Sequence, residues 1–316
     1  MPDAGPMDAE VEFSSGSETV RLGGYLPDVA RAAAEVVTDR TVETLPQTVD
    51  LRPHCSQVED QKTIGSCTAN AAIGALEYHR KKNGVDPSDL SRLFVYYNTR
   101  RLRGDIPNDT GATIAECMAA VLAYGAPRSD LWPYSDKQKD DRWLQEPPKE
   151  VYENAILNEA VQYARVSPGA GVLGSVAAGF PISFGIFLPK LAYDVAGRTG
   201  TMPELTEQQW QGPQAGGHAM LIVGYDLLRR LYLVRNSWGT RWGEGGYVWI
   251  PFSVMDRGAH AESFWVIGRL EQEGGVTLRQ PDTASASDKL RAGLRSEIEG
   301  GLSDVRSGLR DRLTKK

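Results

Sequence analysis

Cysteine is scarce in this chain of 316 residues, which holds only Cys55, Cys67 and Cys117. Three thiols exclude a disulfide framework, because they permit one bridge at most and leave one thiol over. A surplus of basic residues is also missing: 35 Lys and Arg stand against 41 Asp and Glu, a net charge of −6. A nucleic-acid binder needs basic surface to replace the counterions around phosphate, so that class is set aside. No apolar run approaches the length that spans a bilayer. The first stretch, Met1 to Phe13, is acidic and lacks the basic segment and apolar core of a secretory signal. These absences point to a soluble, cytoplasmic protein, with export by an unusual route or an incomplete gene start left open. Only four histidines occur, and no Cys/His cluster has ligand spacing, so no metal site is expected, and the thiol chemistry described below needs no organic cofactor.

What is present is enough for a sizeable core. Apolar residues make up 41% of the chain, and its length suits one large domain or two modest ones. Residues 1–45 carry little pattern beyond a short helix expected over Val29 to Val37, after the turn-like Gly23-Gly24-Tyr25-Leu26-Pro27. They read as a leader or short pro-segment. From Leu45 the text becomes dense. Ser66 to Lys82 reads as a helix with Ser66 as N-cap, an apolar stripe of Ala69, Ala72, Ile73 and Leu76, and a stop at Gly84. Ser91 to Arg101 and Thr113 to Tyr124 read as two more helices. Past about residue 165 come short β-favouring runs: Ile182 to Leu188, Ala219 to Tyr225, Leu231 to Arg235, Tyr247 to Ile250 and Ser263 to Ile267. Helices first and strands second predict an α+β protein with two lobes, and the cleft between lobes is a usual substrate site.

The end of the chain differs again. Gly274-Gly275 and Pro281 to Ser287 read as a linker. Leu290, Leu294, Ile298, Leu302, Val305, Leu309 and Leu313 then recur at helical spacing, though Gly293, Gly300, Gly301 and Gly308 weaken that helix by roughly 1 kcal/mol each relative to alanine. Residues 271–316 are taken as linker plus amphipathic charged tail, either solvated or used for a partner or self-association. The mixed charges argue against a membrane surface.

Three segments carry chemistry. In Gln61-Lys62-Thr63-Ile64-Gly65-Ser66-Cys67 the cysteine falls at the first turn of a helix, whose positive end stabilises the thiolate that attacks. The Gln61 carboxamide can join the Cys67 backbone N–H as a second donor to an oxyanion. In Gly216-Gly217-His218-Ala219 a histidine opens a strand after two glycines that permit close approach. In Arg235-Asn236-Ser237-Trp238-Gly239 an asparagine ends the next strand. Adjacent antiparallel strands would let Asn236 accept the Nδ1–H of His218 and leave Nε2 facing sulfur, with Trp238 covering that bond from water.

This order, Gln…Gly-Ser-Cys, then Gly-His-Ala, then Asn-Ser-Trp-Gly, resembles the papain family of cysteine peptidases. Val49-Asp50-Leu51-Arg52, Trp132-Pro133-Tyr134 and Trp242-Gly243-Glu244-Gly245-Gly246-Tyr247 resemble the same family, so the match runs over about residues 46–268. The resemblance implies a two-lobed fold, a helical lobe over 46–160 and an antiparallel, β-barrel-like lobe over 161–270. It implies a peptidase acting on peptide or protein substrates, with Gln61, Cys67, His218 and Asn236 as oxyanion donor, nucleophile, base and orienting residue. Gly65, Gly111, Gly217 and Trp238 would line the substrate groove. Glu262 would floor the pocket for the residue two before the scissile bond and there accept a basic side chain.

Departures from the family pattern are informative. Ile64 stands where a bridged cysteine is usual, Thr68 where an aromatic follows the nucleophile, and Asn70 where an apolar residue is common. The missing bridge fits a reducing compartment and members of bacterial type. A full helical prodomain has no room in some 45 residues, but Tyr25-Leu26-Pro27 could lie in the cleft as a short lid. Cys55 and Cys117 read as structural thiols, and His54, His79 and His260 as surface or packing residues. Two other functions stay open: an inactive binding protein on the same fold, and a ligase or transpeptidase that passes the acyl group to an amine.

Overall fold

The computed structural model describes residues 10–12, 19–28, 35–38, 45–85, 88–158, 163–267 and 276–279. Helices dominate its first half. α1, Cys67–Lys82, is buried nearly all round from Cys67 to Tyr78 because it is packed between two other helices and the sheet. Its last turn holds His79, Arg80, Lys81 and Lys82 beside the negative end of the helix dipole. α2, Arg92–Arg103, starts where the Ser91 hydroxyl accepts the Phe94 N–H and ends at Gly104, which takes a left-handed conformation. α3, Ile114–Tyr124, opens with a reciprocal capping box between Thr113 and Glu116. α4, Lys149–Ala155, closes this half.

Strands alternate with short helices thereafter. β1 (Glu10–Glu12) and β2 (Thr19–Arg21) pair with each other, and β3 (Glu35–Thr38) and β4 (Thr48–Asp50) join the main sheet. The second half contributes β5 (Tyr163–Val166), α5 (Ala170–Ala177), β6 (Ile182–Pro189), α6 (Lys190–Thr199), α7 (Glu207–Trp210), β7 (Gln214–Asp226) and β8 (Leu231–Arg235). β9 (Tyr247–Pro251), α8 (Phe252–Gly258), β10 (Ala259–Ile267) and β11 (Val276–Arg279) complete it. The sheet runs β11-β3-β5-β10-β6-β7-β8-β9, with β4 added on β7. All its neighbours are antiparallel except β3 and β5.

Two expectations need correction here. The sheet is open and does not close into a barrel: its path ends at β9 and β11, which do not pair. The chain leaves β9 through Pro251 straight into α8, and β10 then returns to the middle of the sheet between β5 and β6, so among the described residues the outer edge of β9 carries the isolated bridge of Trp249 with Thr201 and no closing strand. The helix expected over Val29 to Val37 is not seen where that segment is described, since Glu35–Thr38 is a strand between β5 and β11. Val36 and Val37 are β-branched, and an available sheet edge satisfies their backbone better than an isolated helical turn. The amphipathic pattern of 289–313 lies outside the described residues.

One apolar core joins the two halves. Leu76, Phe94, Met118 and Val121 from the helices belong to the same buried cluster as Phe184, Leu221, Ile222 and Val248 from the strands. α1 lies against β7, with Gly74 close to Leu221 and to the Arg235 guanidinium. That contact brings the first turn of α1 to the strand that carries His218.

Candidate active site

Cys67 is the first residue of α1 and is fully buried. Ser66 stands at the N-cap, yet its hydroxyl makes no capping bond. It meets the Tyr134 hydroxyl at 2.6 Å and accepts from Asn70 Nδ2 at 3.1 Å. The Tyr134 hydroxyl in turn donates to the Gln61 carbonyl at 2.7 Å. Asn70, at a position where an apolar residue was expected, also donates to the Ser66 carbonyl and accepts from Arg92 at 2.8 Å. Arg92 lies over the Tyr134 ring and pairs with Glu59 at 2.7 Å. The turn that presents Cys67 is thus braced by a polar network, because Asn70 needs partners once buried.

Gln61 is fully buried and clasped to the third motif. Its backbone N–H donates to the Ser237 carbonyl at 2.8 Å, and the Ser237 hydroxyl donates to Gln61 Oε1 at 2.6 Å. With its oxygen held, the carboxamide has its NH2 end determined, and Nε2 reaches the Ile64 carbonyl at 3.3 Å in the loop before Cys67.

His218 and Asn236 meet as expected, but through the other ring nitrogen. His218 Nε2 lies 2.8 Å from Asn236 Oδ1, while Nδ1 is buried with no hydrogen-bond partner among the described residues. Asn236 Oδ1 also accepts the Ser237 N–H at 2.8 Å, so it acts as an acceptor and Nε2 carries the proton. The reason is register. β7 and β8 pair up to Leu221 and Arg235, so Asn236 lies on the diagonal from His218, where the nitrogen farther from the backbone reaches it. Trp238 stacks on the imidazole with centroids 4.5 Å apart, and Tyr193 and Trp242 close on Trp238 edge-on. Trp238 therefore walls the histidine. Burial, partly opposed by the bond to Asn236, lowers the His218 pKa to about 4. Tyr193 stands edge-on to His218 with centroids 5.9 Å apart. Burial raises its phenol far above the usual range, and charge on Cys67 adds to that rise.

The groove beside these residues is occupied by the chain's own segment Leu22–Asp28. The Gly23 and Tyr25 N–H groups both donate to the Gly217 carbonyl, at 3.1 and 3.3 Å. On the opposite wall Leu26 N–H donates to the Ala112 carbonyl at 2.9 Å and Ala112 N–H to the Gly24 carbonyl at 3.0 Å. The backbones approach so closely that a Cβ on Gly24 would overlap the Gly65 carbonyl, and one on Gly111, which has φ of 71°, would overlap the Gly24 carbonyl. Gly65, Gly111 and Gly217 are thus residues against which Leu22–Asp28 lies. Glu262 is not: it pairs with Arg165 of β5, and Ser263 faces the groove instead. Successive strand residues point to opposite faces, so the position next to Glu262 takes the pocket.

Sequence reasoning missed Ser237, Tyr134 and Ser263. The first two sit inside motifs already singled out, and only their contacts distinguish them from spacers. Cys55 and Cys117 are buried thiols outside any disulfide, and burial pushes the Cys117 thiol up to about 12 and raises Cys55 as well. Such thiols are inert. Among the described residues no His, Cys, Asp and Glu group suits a metal, and no helix is long and apolar enough to cross a membrane.

Known proteins resemble this chain in sequence and in fold. The sequence profile described as papain family cysteine protease matches residues 45–260. An uncharacterized peptidase C1-like protein of Acanthamoeba polyphaga mimivirus is 34% identical over 242 residues, covering 72% of this chain and 72% of its own. Cathepsin K of Gallus gallus is 29% identical over 219 residues, 64% of this chain and 58% of its own length. Among solved structures, xylellain, a cysteine protease from Xylella fastidiosa, superposes with a TM-score of 0.72 at 32% identity, over 78% of this chain and 96% of its own.

Proposed function

This chain belongs to the papain family of cysteine proteases and is a cysteine peptidase; from that premise we propose that Cys67, His218, Asn236 and Gln61 carry its reaction. The observation that carries the proposal is the 2.8 Å contact of His218 Nε2 with Asn236 Oδ1, which leaves Nδ1 as the ring's proton acceptor. Nδ1 takes the Cys67 proton, and the thiolate at the positive end of α1 attacks the substrate carbonyl. Gln61 Nε2 and the Cys67 backbone N–H receive the oxyanion. The imidazolium gives its proton to the leaving amine and an acyl-enzyme forms. Water then attacks, passing a proton to Nδ1, and the acid leaves as the thiol regains that proton.

Asn236 orients the ring and fixes its tautomer, and Trp238 shields that bond from water. While Leu22–Asp28 covers the groove, burial keeps the imidazole neutral near pH 7. Hydration on uncovering restores its basicity. The test is labelling with an epoxide or vinyl-sulfone thiol probe alongside peptide hydrolysis. Wild type should label and cleave, and Cys67→Ala should do neither. Labelling that survives the substitution would overturn the assignment of the nucleophile.

A further inference from the structure

Two loops meet beside the start of α1. One is the turn that carries Gly65, two residues before Cys67, and the other is the 105–112 loop between α2 and α3. They approach to backbone contact: a Cβ on Gly65 would stand 3.2 Å from Asp109 Oδ1 and 3.4 Å from the Gly111 nitrogen. No disulfide ties them among the described residues. The tie is the Asp109 carboxylate, whose side chain is 5% exposed. Its Oδ1 accepts the Gly65 N–H at 2.9 Å and also the Tyr96 hydroxyl. The Tyr96 oxygen in turn accepts the Gly111 N–H at 3.3 Å. Oδ2 pairs with the Lys137 ammonium at 2.8 Å, which offsets the cost of burying the charge. Burial first, and the Asp109 charge second, raise the Tyr96 phenol far above its usual range, so it stays a donor to the carboxylate. The 105–112 loop is the anchored partner. The fully buried Arg100 donates to the Ile106 and Asn108 carbonyls at 2.7 and 3.2 Å, and Arg103 donates to the Gly111 carbonyl at 2.9 Å.

We propose that Asp109 is a positioning residue for the reaction: its carboxylate holds Gly65 directly, and Gly111 through Tyr96, at the spacing an extended substrate backbone needs. A carboxylate suits the task because one oxygen can take two donors while the other keeps an ion pair. Presented from an anchored loop, it sets where the turn leading into Cys67 lies. A misplacement of about 1 Å can cost a reaction roughly 100-fold, and here the loss falls on substrates long enough to lie along both glycines. This role rests on the peptidase reading for the identity of the groove, and deepens it by naming what sets the groove's width.

Two measurements on the full-length protein test this. Amide hydrogen exchange, followed by NMR, reads the clamp without catalysis. In Asp109→Ala the Gly65 and Gly111 amides should exchange roughly tenfold faster or more, and in Tyr96→Phe the Gly111 amide alone should speed up. An unchanged Gly65 rate in Asp109→Ala overturns the clamp, whether or not Cys67 is the nucleophile. The second measurement is the ratio of kcat/KM for a tripeptide to that for a single amino acid, both carrying the same fluorogenic leaving amine. One residue cannot lie along both glycines, and the ratio cancels any change common to both substrates, partial unfolding included. It should fall roughly tenfold or more in Asp109→Ala and about fivefold in Tyr96→Phe, the worth of one neutral hydrogen bond. Asp109→Asn keeps an oxygen for both donors and should stay within about threefold of wild type. A ratio unchanged in Asp109→Ala, or equally low in Asp109→Asn, overturns the positioning role. A wild type that cleaves neither substrate overturns the peptidase reading instead, and the exchange rates then decide the clamp.

Discussion

Ser237→Ala removes a hydroxyl that holds Gln61 and should slow the reaction, because in the proposed mechanism Gln61 is an oxyanion donor. The Ser237 hydroxyl donates to Gln61 Oε1 at 2.6 Å, and that bond determines where Nε2 points. Losing one neutral hydrogen bond costs about 1 kcal/mol, or roughly fivefold in rate. Removing the donor itself, as in Gln61→Ala, costs about 3–4 kcal/mol, roughly 100- to 1000-fold in kcat. KM should hardly move in either variant, since the carboxamide acts on charge that exists only in the transition state. The assay is steady-state hydrolysis of a fluorogenic peptide, with active sites titrated so that partial unfolding is not read as slow chemistry. The decisive variant is the double one. If Ser237 acts through Gln61, the double variant is no slower than Gln61→Ala alone. Losses that multiply, or a Ser237→Ala effect confined to KM, would refute the coupling.

Asn236→Ala leaves the His218 Nε2–H and the Ser237 N–H buried without an acceptor, at about 1–3 kcal/mol, so kcat should fall roughly 10- to 100-fold. Asn236→Asp keeps an acceptor and should retain clearly more activity, and equal losses in steady-state kinetics would count against an orienting role. His79 supplies a stability prediction. Burial first, and Lys82 second, lower its pKa to about 4. Unfolded histidine titrates near 6.5, so between these values the unfolded chain binds more protons. The stability tied to a neutral His79 is whole above pH 6.5 and drains away as pH falls toward 4, by about 2.5 kcal/mol at pH 4.5. Urea unfolding of wild type and His79→Gln at pH 7.5 and 4.5 should show the smaller acid loss in the variant, and parallel losses would sink the assignment.

Local patterns made the first half of the fold legible. Ser91 and Thr113 announce α2 and α3 by capping chemistry that acts within four residues, and the stripe of Ala69, Ala72, Ile73 and Leu76 announces α1. The short helices α5 to α8 were not read, since their few turns are stabilised by packing on the sheet more than by any internal period. Glu35–Thr38 was misread because an available sheet edge, not propensity, decides the state of so short a run. Glu262 and Ser263 show how little separates a right reading from a wrong one in a strand. They differ by one position, and one position reverses the face.

The amino-acid sequence by itself determined which groups of chemical consequence this protein owns and their order along the chain: a thiol at a helix start, one histidine after paired glycines, an asparagine and tryptophan closing the next strand. Those are properties of residue type and short spacing. Tertiary structure alone decided that Asn236 meets Nε2 and not Nδ1, that Ser237 holds Gln61, and that Ser263 and not Glu262 faces the groove. Each of these depends on strand register or on contacts between segments far apart in the chain. Such contacts are set by how the whole core packs.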